Sequence, residues 1–137
     1  MKHKMLTFID AGVLIAAARG SSEQSRRALS ILDDPYREFI SSPFVKLEVL
    51  PKAIFSKRMH EAEFYNAFFD SVSIWADDLD TIVEMANQKA SEIGLNAMDS
   101  LHVAAAISAG AEELITTERS SKPIFKVKDI QVVSIQV

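Results

Sequence analysis

The sequence predicts an α/β fold, with one domain over residues 1–137 and a central, mostly parallel sheet flanked by helices on both faces. A chain of 137 residues suits a single core. Its composition, 48% apolar and 25% charged, is that of an ordinary globular protein. Short runs of strand-forming residues alternate with helical segments, and this alternation requires the crossover connections that join parallel strands.

The first part of the chain alternates strands and helices. Met5–Ile9 is an apolar run rich in strand formers, and it ends at Asp10. Ala-rich and amphipathic segments then predict helices, and a further apolar run predicts the next strand. The elements predicted here are a strand at Met5–Ile9, helices at Val13–Arg19 and Glu23–Asp34, and a strand at Arg37–Ser41.

The middle and last parts continue the alternation. Ser42 is a good N-cap and Pro43 suits the first helical position, so a helix should follow, kinked at Pro51. Gly94 and Gly110 each follow a helical segment, as left-handed caps do. The elements predicted are helices at Phe44–Ser56, Ala62–Asp70, Leu79–Ile93 and Ala97–Ala109, and strands at Val72–Trp75, Glu113–Thr116 and Val132–Ile135.

Composition excludes several classes of function. The formal net charge of −4 argues against a broad nucleic-acid-binding surface, although a local basic strip beside an acidic pocket is compatible with it. Cysteine is absent, which excludes disulfides and thiolate chemistry, and three scattered histidines do not suggest zinc. No apolar run approaches the ~20 residues that cross a bilayer, and no signal-peptide core is evident near the start. We expect a cytoplasmic protein with no membrane association.

Four acidic residues stand where ligands bind in parallel sheets, at the carboxyl ends of strands or the starts of helices. Asp10 follows the first strand, Glu48 lies in an apolar helix, Asp99 follows the potential cap Asn96, and Glu118 follows the Glu113–Thr116 strand. Each has a structural explanation: Asp10 and Asp99 as helix-capping residues, Glu48 as the partner of Lys52 four residues on, and Glu118 as a solvated loop acid.

Together, however, these acids predict a site for a hard divalent cation. Crowded carboxylates repel one another and raise each other's pKa unless a cation lies among them. Oxygen ligands without Cys or clustered His favour Mg²⁺ or Mn²⁺. Such an ion can activate water and stabilise charge on a phosphodiester, which indicates hydrolysis of a phosphate ester.

Three segments resemble the PIN-domain family, and within it the VapC-type toxin ribonucleases. They are Phe8-Ile9-Asp10-Ala11-Gly12-Val13-Leu14-Ile15, Leu47-Glu48-Val49-Leu50, and Asp99-Ser100-Leu101-His102-Val103-Ala104-Ala105-Ala106, followed by Gly110 to Glu118. Each motif alone is weak, but their order and spacing are specific. The resemblance implies a metal-dependent endoribonuclease that cleaves single-stranded RNA, with Mg²⁺ or Mn²⁺ held by Asp10, Glu48 and Asp99, and with Glu118 as a fourth, less regular ligand.

The resemblance also implies partners. Similar proteins are commonly homodimers that are silenced by a small antitoxin protein. An aromatic stripe, Phe64, Tyr65, Phe68 and Phe69, would contribute to antitoxin binding or, more simply, pack in the core together with Trp75. Cationic residues that could contact RNA are Arg119, Lys46 and Lys52, together with Lys57, Arg58 and Lys122.

Two alternatives remain open at this point. The family usually has Thr or Ser and then Asn after the first acid, and often a further acid two residues beyond the fourth, whereas this chain has Ala11, Gly12 and Ser120. A catalytically weakened PIN domain that binds RNA or protein is therefore the alternative function. A receiver-like phosphoacceptor is disfavoured, because it needs an acid pair after the first strand. His102, one helical turn beyond Asp99, could approach the site, although it is more simply a half-buried helix residue.

Overall fold

The computed structural model describes residues 3–137, which form six helices and a single five-stranded sheet. The strands are β1 (Met5–Ile9), β2 (Arg37–Ser41), β3 (Ile74–Trp75), β4 (Glu113–Thr116) and β5 (Gln131–Ser134). The helices are α1 (Ala11–Ala18), α2 (Glu23–Leu32), α3 (Pro43–Phe55), α4 (Met59–Ser71), α5 (Leu79–Ile93) and α6 (Ala97–Ser108). A 3₁₀ turn at Pro123–Lys126, which the sequence did not predict, precedes β5.

All adjacent strands are parallel, in the order β3-β2-β1-β4-β5. Thr7 of β1 is paired with Phe39 of β2 on one side and Glu113 of β4 on the other. The chain therefore builds outward from β1 to β3 and then returns to add β4 and β5 on the opposite side. This reversal between β1 and β4 places a crevice at their carboxyl ends, where open parallel sheets bind ligands.

The centre of the sheet is buried on both faces. Phe8 and Ile9 of β1 are both 0% exposed, as are Leu114 and Ile115 of β4. Because consecutive side chains of a strand point to opposite faces, the helices must cover the sheet on both sides. The predicted α/β fold with a parallel sheet is confirmed.

Local sequence signals account for the ends of the helices. The side chain of Ser42 accepts a hydrogen bond from the N–H of Val45 and begins α3, which continues through Pro51 to Phe55. Gly94 ends α5 in the left-handed conformation, at a φ of 74°, which costs glycine little. Helix α1 begins two residues before the prediction, because Asp10 is its cap.

The aromatic stripe of α4 lies mostly in the core. Tyr65, Phe68 and Phe69 are at most 7% exposed, and the Phe69 ring lies 5.7 Å from that of Trp75, centroid to centroid. Phe64 is half-buried. Core packing therefore explains most of this stripe. No helix within residues 3–137 is both long and apolar enough to cross a membrane.

Candidate functional site

Asp10 is held rigidly at the carboxyl end of β1. The Ala11 N–H donates to its Oδ1 at 2.9 Å, and the Thr116 hydroxyl donates to its Oδ2, also at 2.9 Å. The carboxylate is only 8% exposed and lies at the crevice between β1 and β4. The capping role expected for Asp10 is present, and the same geometry turns the carboxylate towards the end of β4.

Glu48 reaches the same region from α3. Its Oε1 lies 2.8 Å from Nε2 of His102 on α6, and the same nitrogen is 3.9 Å from Oδ1 of Asp10. The expected pairing of Glu48 with Lys52 is therefore wrong. A neighbouring helix supplies a buried partner, while the Glu48 side chain itself remains 35% exposed.

His102 is a buried base among these acids, 1% exposed, and its ring centroid lies 6.1 Å from that of Phe8 in a tilted arrangement. Burial lowers its pKa, but the hydrogen bond to the Glu48 carboxylate and the charges of Asp10, Glu48 and Asp99 outweigh this and leave the pKa raised. Its Nδ1 is buried and has no hydrogen-bond partner within residues 3–137. The surrounding carboxylates thus favour the charged form of a ring that burial alone would keep neutral.

Asp99 completes the cluster from the first turn of α6. Its backbone N–H donates to the side chain of the N-cap Asn96 at 2.8 Å, so the predicted capping arrangement is present. Burial raises the pKa of its carboxyl, and the charges of Asp10, Glu118 and Glu48 raise it further, against a smaller opposing effect of His102. Repulsion of this kind requires that the acids lie near one another in space.

Glu118 approaches from the segment after β4. Its N–H donates to the Thr116 hydroxyl at 3.1 Å, and its carbonyl accepts from the Ser134 hydroxyl at 2.7 Å. Thr116 therefore links this segment to Asp10, since the same hydroxyl donates to the Asp10 carboxylate. The charges of Asp10, Glu48 and Glu118 all act on the Asp99 carboxyl, and we call these four acids the acidic cluster: Asp10, Glu48, Asp99 and Glu118.

The donor chemistry of the acidic cluster fits a hard divalent cation. Four carboxylates with a raised pKa at Asp99 form a site whose repulsion a dication would relieve. Within residues 3–137, however, no three acidic or histidine side chains stand at ligating distances from a common point. Glu48 is turned to His102, so coordination by Glu48 requires its side chain to leave that hydrogen bond.

Three of the cationic residues predicted to contact RNA, Lys46, Lys52 and Arg119, are exposed. Lys46 and Lys52 are exposed on α3, on either side of Glu48, and Arg119 directly follows Glu118. The Lys46 ammonium is 5.9 Å from the centre of the Phe69 ring. The α3 lysines and Arg119 are therefore accessible to a ligand.

Sequence reasoning underestimated one residue and missed another. His102 was expected more simply as a half-buried helix residue than as one that approaches the site, yet it contacts Glu48 and lies near Asp10. Thr116 was taken as the end of a strand, but its hydroxyl connects Asp10 with the Glu118 segment. Two features of the sequence could have identified these residues: the helical spacing of His102 from Asp99, and the position of Thr116 at the carboxyl end of β4.

Comparison with family models now adds to this geometry. Residues 7–122 match the model of the PIN domain. The chain belongs to the PIN domain family. The resemblance seen in the sequence motifs is thereby confirmed, and the matched range contains all four members of the acidic cluster. No curated protein sequence matches the chain.

Solved structures share the fold of this PIN domain. A chain of a toxin–antitoxin complex from Klebsiella pneumoniae has a TM-score of 0.72 at 20% identity, with 96% of this chain and 99% of that chain covered. VapBC2 from Rickettsia felis, bound to a DNA fragment from its promoter, gives 0.70 at 13% identity, covering 93% and 97%. DNA-bound VapBC from Salmonella typhimurium gives 0.68 at 14% identity, covering 96% and 98%.

Proposed function

We propose that this PIN domain is a metal-dependent endoribonuclease that hydrolyses phosphodiester bonds of single-stranded RNA in the cytoplasm. The acidic cluster at the crevice between β1 and β4 carries this proposal. Asp10, Glu48 and Asp99, with Glu118 as a fourth ligand, would hold Mg²⁺ or Mn²⁺. The bound ion would supply a water nucleophile at neutral pH and stabilise charge on the phosphodiester.

Hydrogen bonds within the protein orient the proposed metal ligands. The Ala11 N–H and the Thr116 hydroxyl fix the orientation of Asp10. His102 keeps Glu48 turned towards Asp10, and its raised pKa lets the ring carry a compensating proton while no metal is bound. Arg119, Lys46 and Lys52 are placed to contact the phosphates of the RNA backbone, because cations beside the acids offset the repulsion between the cluster and RNA.

The test is RNA cleavage by the purified protein with Mn²⁺, using Asp10→Asn and Asp99→Asn. We expect each change to reduce the rate at least about 100-fold, as loss of a group acting in the transition state does. Asp80→Asn is the matched control, because Asp80 is an exposed acid on α5 outside the acidic cluster. If both cluster variants cut RNA as fast as the Asp80 variant, the proposed chemistry is wrong.

A catalytically weakened PIN domain that binds RNA or protein is the second candidate. The lack of a ready-made group of three ligands within residues 3–137 favours it, as do Ala11, Gly12 and Ser120. Calorimetric titration separates the two functions. Binding of Mn²⁺ that is lost in Asp99→Asn supports the nuclease, and the absence of heat at millimolar Mn²⁺ supports the binding module.

We further propose that the protein is the toxin of a toxin–antitoxin pair, as the names of the structural relatives suggest. An apolar groove of about 200 Å³ between α2 and α4 offers a docking surface for apolar side chains of a small antitoxin. Leu29, Leu32, Phe64 and Phe68 line it. A partner encoded beside this gene should bind the wild-type protein and the Val137→Asp variant, changed at an exposed site elsewhere, but not Leu29→Asp. Equal binding by both variants would exclude this groove.

A homodimer is the third part of the proposal. Leu47, Ile54, Phe55 and Met59, on α3 and at the start of α4, are between 52% and 88% exposed. Residues 49–60 carry three cations and no acid, whereas residues 77–84, around the exposed Leu79 and Val83, carry four acids and no cation. An apolar, basic surface and an apolar, acidic surface on one chain are complementary between two copies related by a twofold axis.

Room for such packing exists beside the acidic surface. A groove of about 420 Å³ between α5 and α6, bordered by Val83 and Leu101, could accept the Phe55 ring of a second copy. We expect sedimentation to give a dimer for the wild type and for Val137→Asp, an exposed site elsewhere, and a monomer for Phe55→Asp. A dimer that survives Phe55→Asp would place the interface on another face.

A further inference from the structure

Thr117, at the end of β4, is packed against Gly12 in the first turn of α1. A Cβ added at Gly12 would stand 2.5 Å from the Thr117 hydroxyl oxygen, which is closer than real atoms approach. The other Thr117 atoms would be at ordinary distances, with Cγ2 at 3.5 Å and Cβ at 3.6 Å. Because Gly12 has no side chain, the Thr117 hydroxyl can occupy the space where a Cβ of residue 12 would otherwise lie.

Thr117 directly precedes Glu118 of the acidic cluster, and its hydroxyl faces Gly12, two residues after Asp10. Gly12 is two residues after Asp10, and Thr117 stands between Thr116, which donates to Asp10, and Glu118. The Thr117 hydroxyl itself makes no hydrogen bond to any group of residues 3–137, and the residue is half-buried. The Thr116 hydroxyl donates to Asp10, whereas the proton of the Thr117 hydroxyl has no acceptor among residues 3–137.

We infer that Thr117 is a substrate-binding residue, whose hydroxyl donates a hydrogen bond to a phosphate oxygen of bound RNA, and that Gly12 keeps the hydroxyl in the required rotamer. The inference rests on the proposed function. Carboxylates repel phosphate, so a neutral donor among them gives the RNA backbone a contact that the acids cannot supply. A phosphate at this point would lie beside Asp10 and Glu118, where the proposed hydrolysis takes place.

Two substitutions perturb the hydroxyl independently. Thr117→Val keeps the branched shape and removes the oxygen. Gly12→Ala keeps the oxygen but adds the Cβ that collides with it, so the Thr117 side chain must rotate to its next staggered position and carry the hydroxyl away. The rotation that relieves the contact is the one that puts the Cβ hydrogen of Thr117 at the present position of the oxygen.

The experiment measures the affinity of a fluorescent single-stranded RNA by anisotropy without metal, and its cleavage with Mn²⁺. We expect Thr117→Val and Gly12→Ala each to weaken binding about tenfold, as loss of one hydrogen bond to a charged group does. The double variant should bind no more weakly than either single one, because both changes remove the same contact. Thr117→Ser, which keeps the hydroxyl, should bind within about twofold of the wild type.

Thermal unfolding of each variant distinguishes a packing effect from a binding effect. If Thr117→Val binds and cleaves RNA like the wild type, the inference is overturned while the proposed nuclease stands. Additive losses in the double variant also overturn it, because the two residues would then act separately. A wild-type protein that neither binds nor cleaves RNA overturns the proposed function and this inference together.

Discussion

Glu113 is a buried acid far from the acidic cluster, and its removal should unfold the protein at lower denaturant concentration. Its Oε2 accepts from the Thr7 hydroxyl at 2.6 Å and from Nε of Arg37 at 2.8 Å, and its side chain is only 5% exposed. These contacts join β1, β2 and β4 towards their amino ends, opposite the candidate site.

The expected magnitude follows from the bonds that are lost and those that remain. Glu113→Ala removes two hydrogen bonds to a charged group, each worth about 1.5–3 kcal/mol. Part of this is recovered, because Arg37 keeps its 2.7 Å contact with Asp34 and the Thr7 hydroxyl keeps the Met5 carbonyl at 3.2 Å. We expect a loss of about 3–4 kcal/mol for Glu113→Ala and about 1–2 kcal/mol for Glu113→Gln, which retains both acceptor contacts.

Urea unfolding followed by circular dichroism measures these losses. In a domain of this size a loss of 3 kcal/mol also lowers the melting temperature by about 10 °C. Glu63→Ala, an exposed acid on α4, is the control and should change stability by less than about 0.5 kcal/mol. If Glu113→Ala unfolds at the same urea concentration as this control, the reasoning about buried charge pairs is refuted. RNA cleavage by the folded variant should remain close to that of the wild type.

Three further predictions concern the acidic cluster. The pKa values of Asp99 and His102 are raised above their ordinary values of 3.8 and 6.5. The metal-free protein should therefore lose stability as the pH rises above each of these values. His102→Gln should reduce the loss of stability above pH 6.5, because it removes the titrating ring. Stability that instead rises from pH 6.5 to 8.5 would contradict this. Asp99→Asn should raise the metal-free melting temperature at pH 7.5, because it removes a repelled charge; a lower value would contradict it. Mn²⁺ should raise the melting temperature of the wild type but not of Asp10→Asn; an equal rise in both would exclude Asp10 as a ligand.

The elements of this fold could be predicted because their signals are local. Apolar periodicity and capping residues such as Ser42 act within a few positions, and the structure places β1, β2, α5 and β4 at the predicted bounds. The short strand β3 could not be delimited in this way. Ile74 and Trp75 pair only with the last two residues of β2, so the neighbouring strand limits its length.

The acids of the candidate site could be predicted from topology, but their environment could not. The carboxyl ends of parallel strands and the start of α6 bring Asp10, Asp99 and Glu118 together. The contact of His102 with Glu48 depends on the packing of α3 against α6 across 54 positions of sequence. No local pattern reports such a distance, which explains why Glu48 was assigned to Lys52.

The return of the chain from β3 to β4 also affects when the protein can act. Asp10 is oriented by Thr116, 106 residues later in the sequence, and Glu118 follows only after that. A growing polypeptide that has emerged from the ribosome only as far as α5 contains Asp10 and Glu48 but lacks Asp99, His102 and the strand that aligns them. Under the proposed function, a cell making this protein meets no nuclease until residues 113–118 have been translated and folded, and fragments from synthesis interrupted before them should be harmless to its RNA.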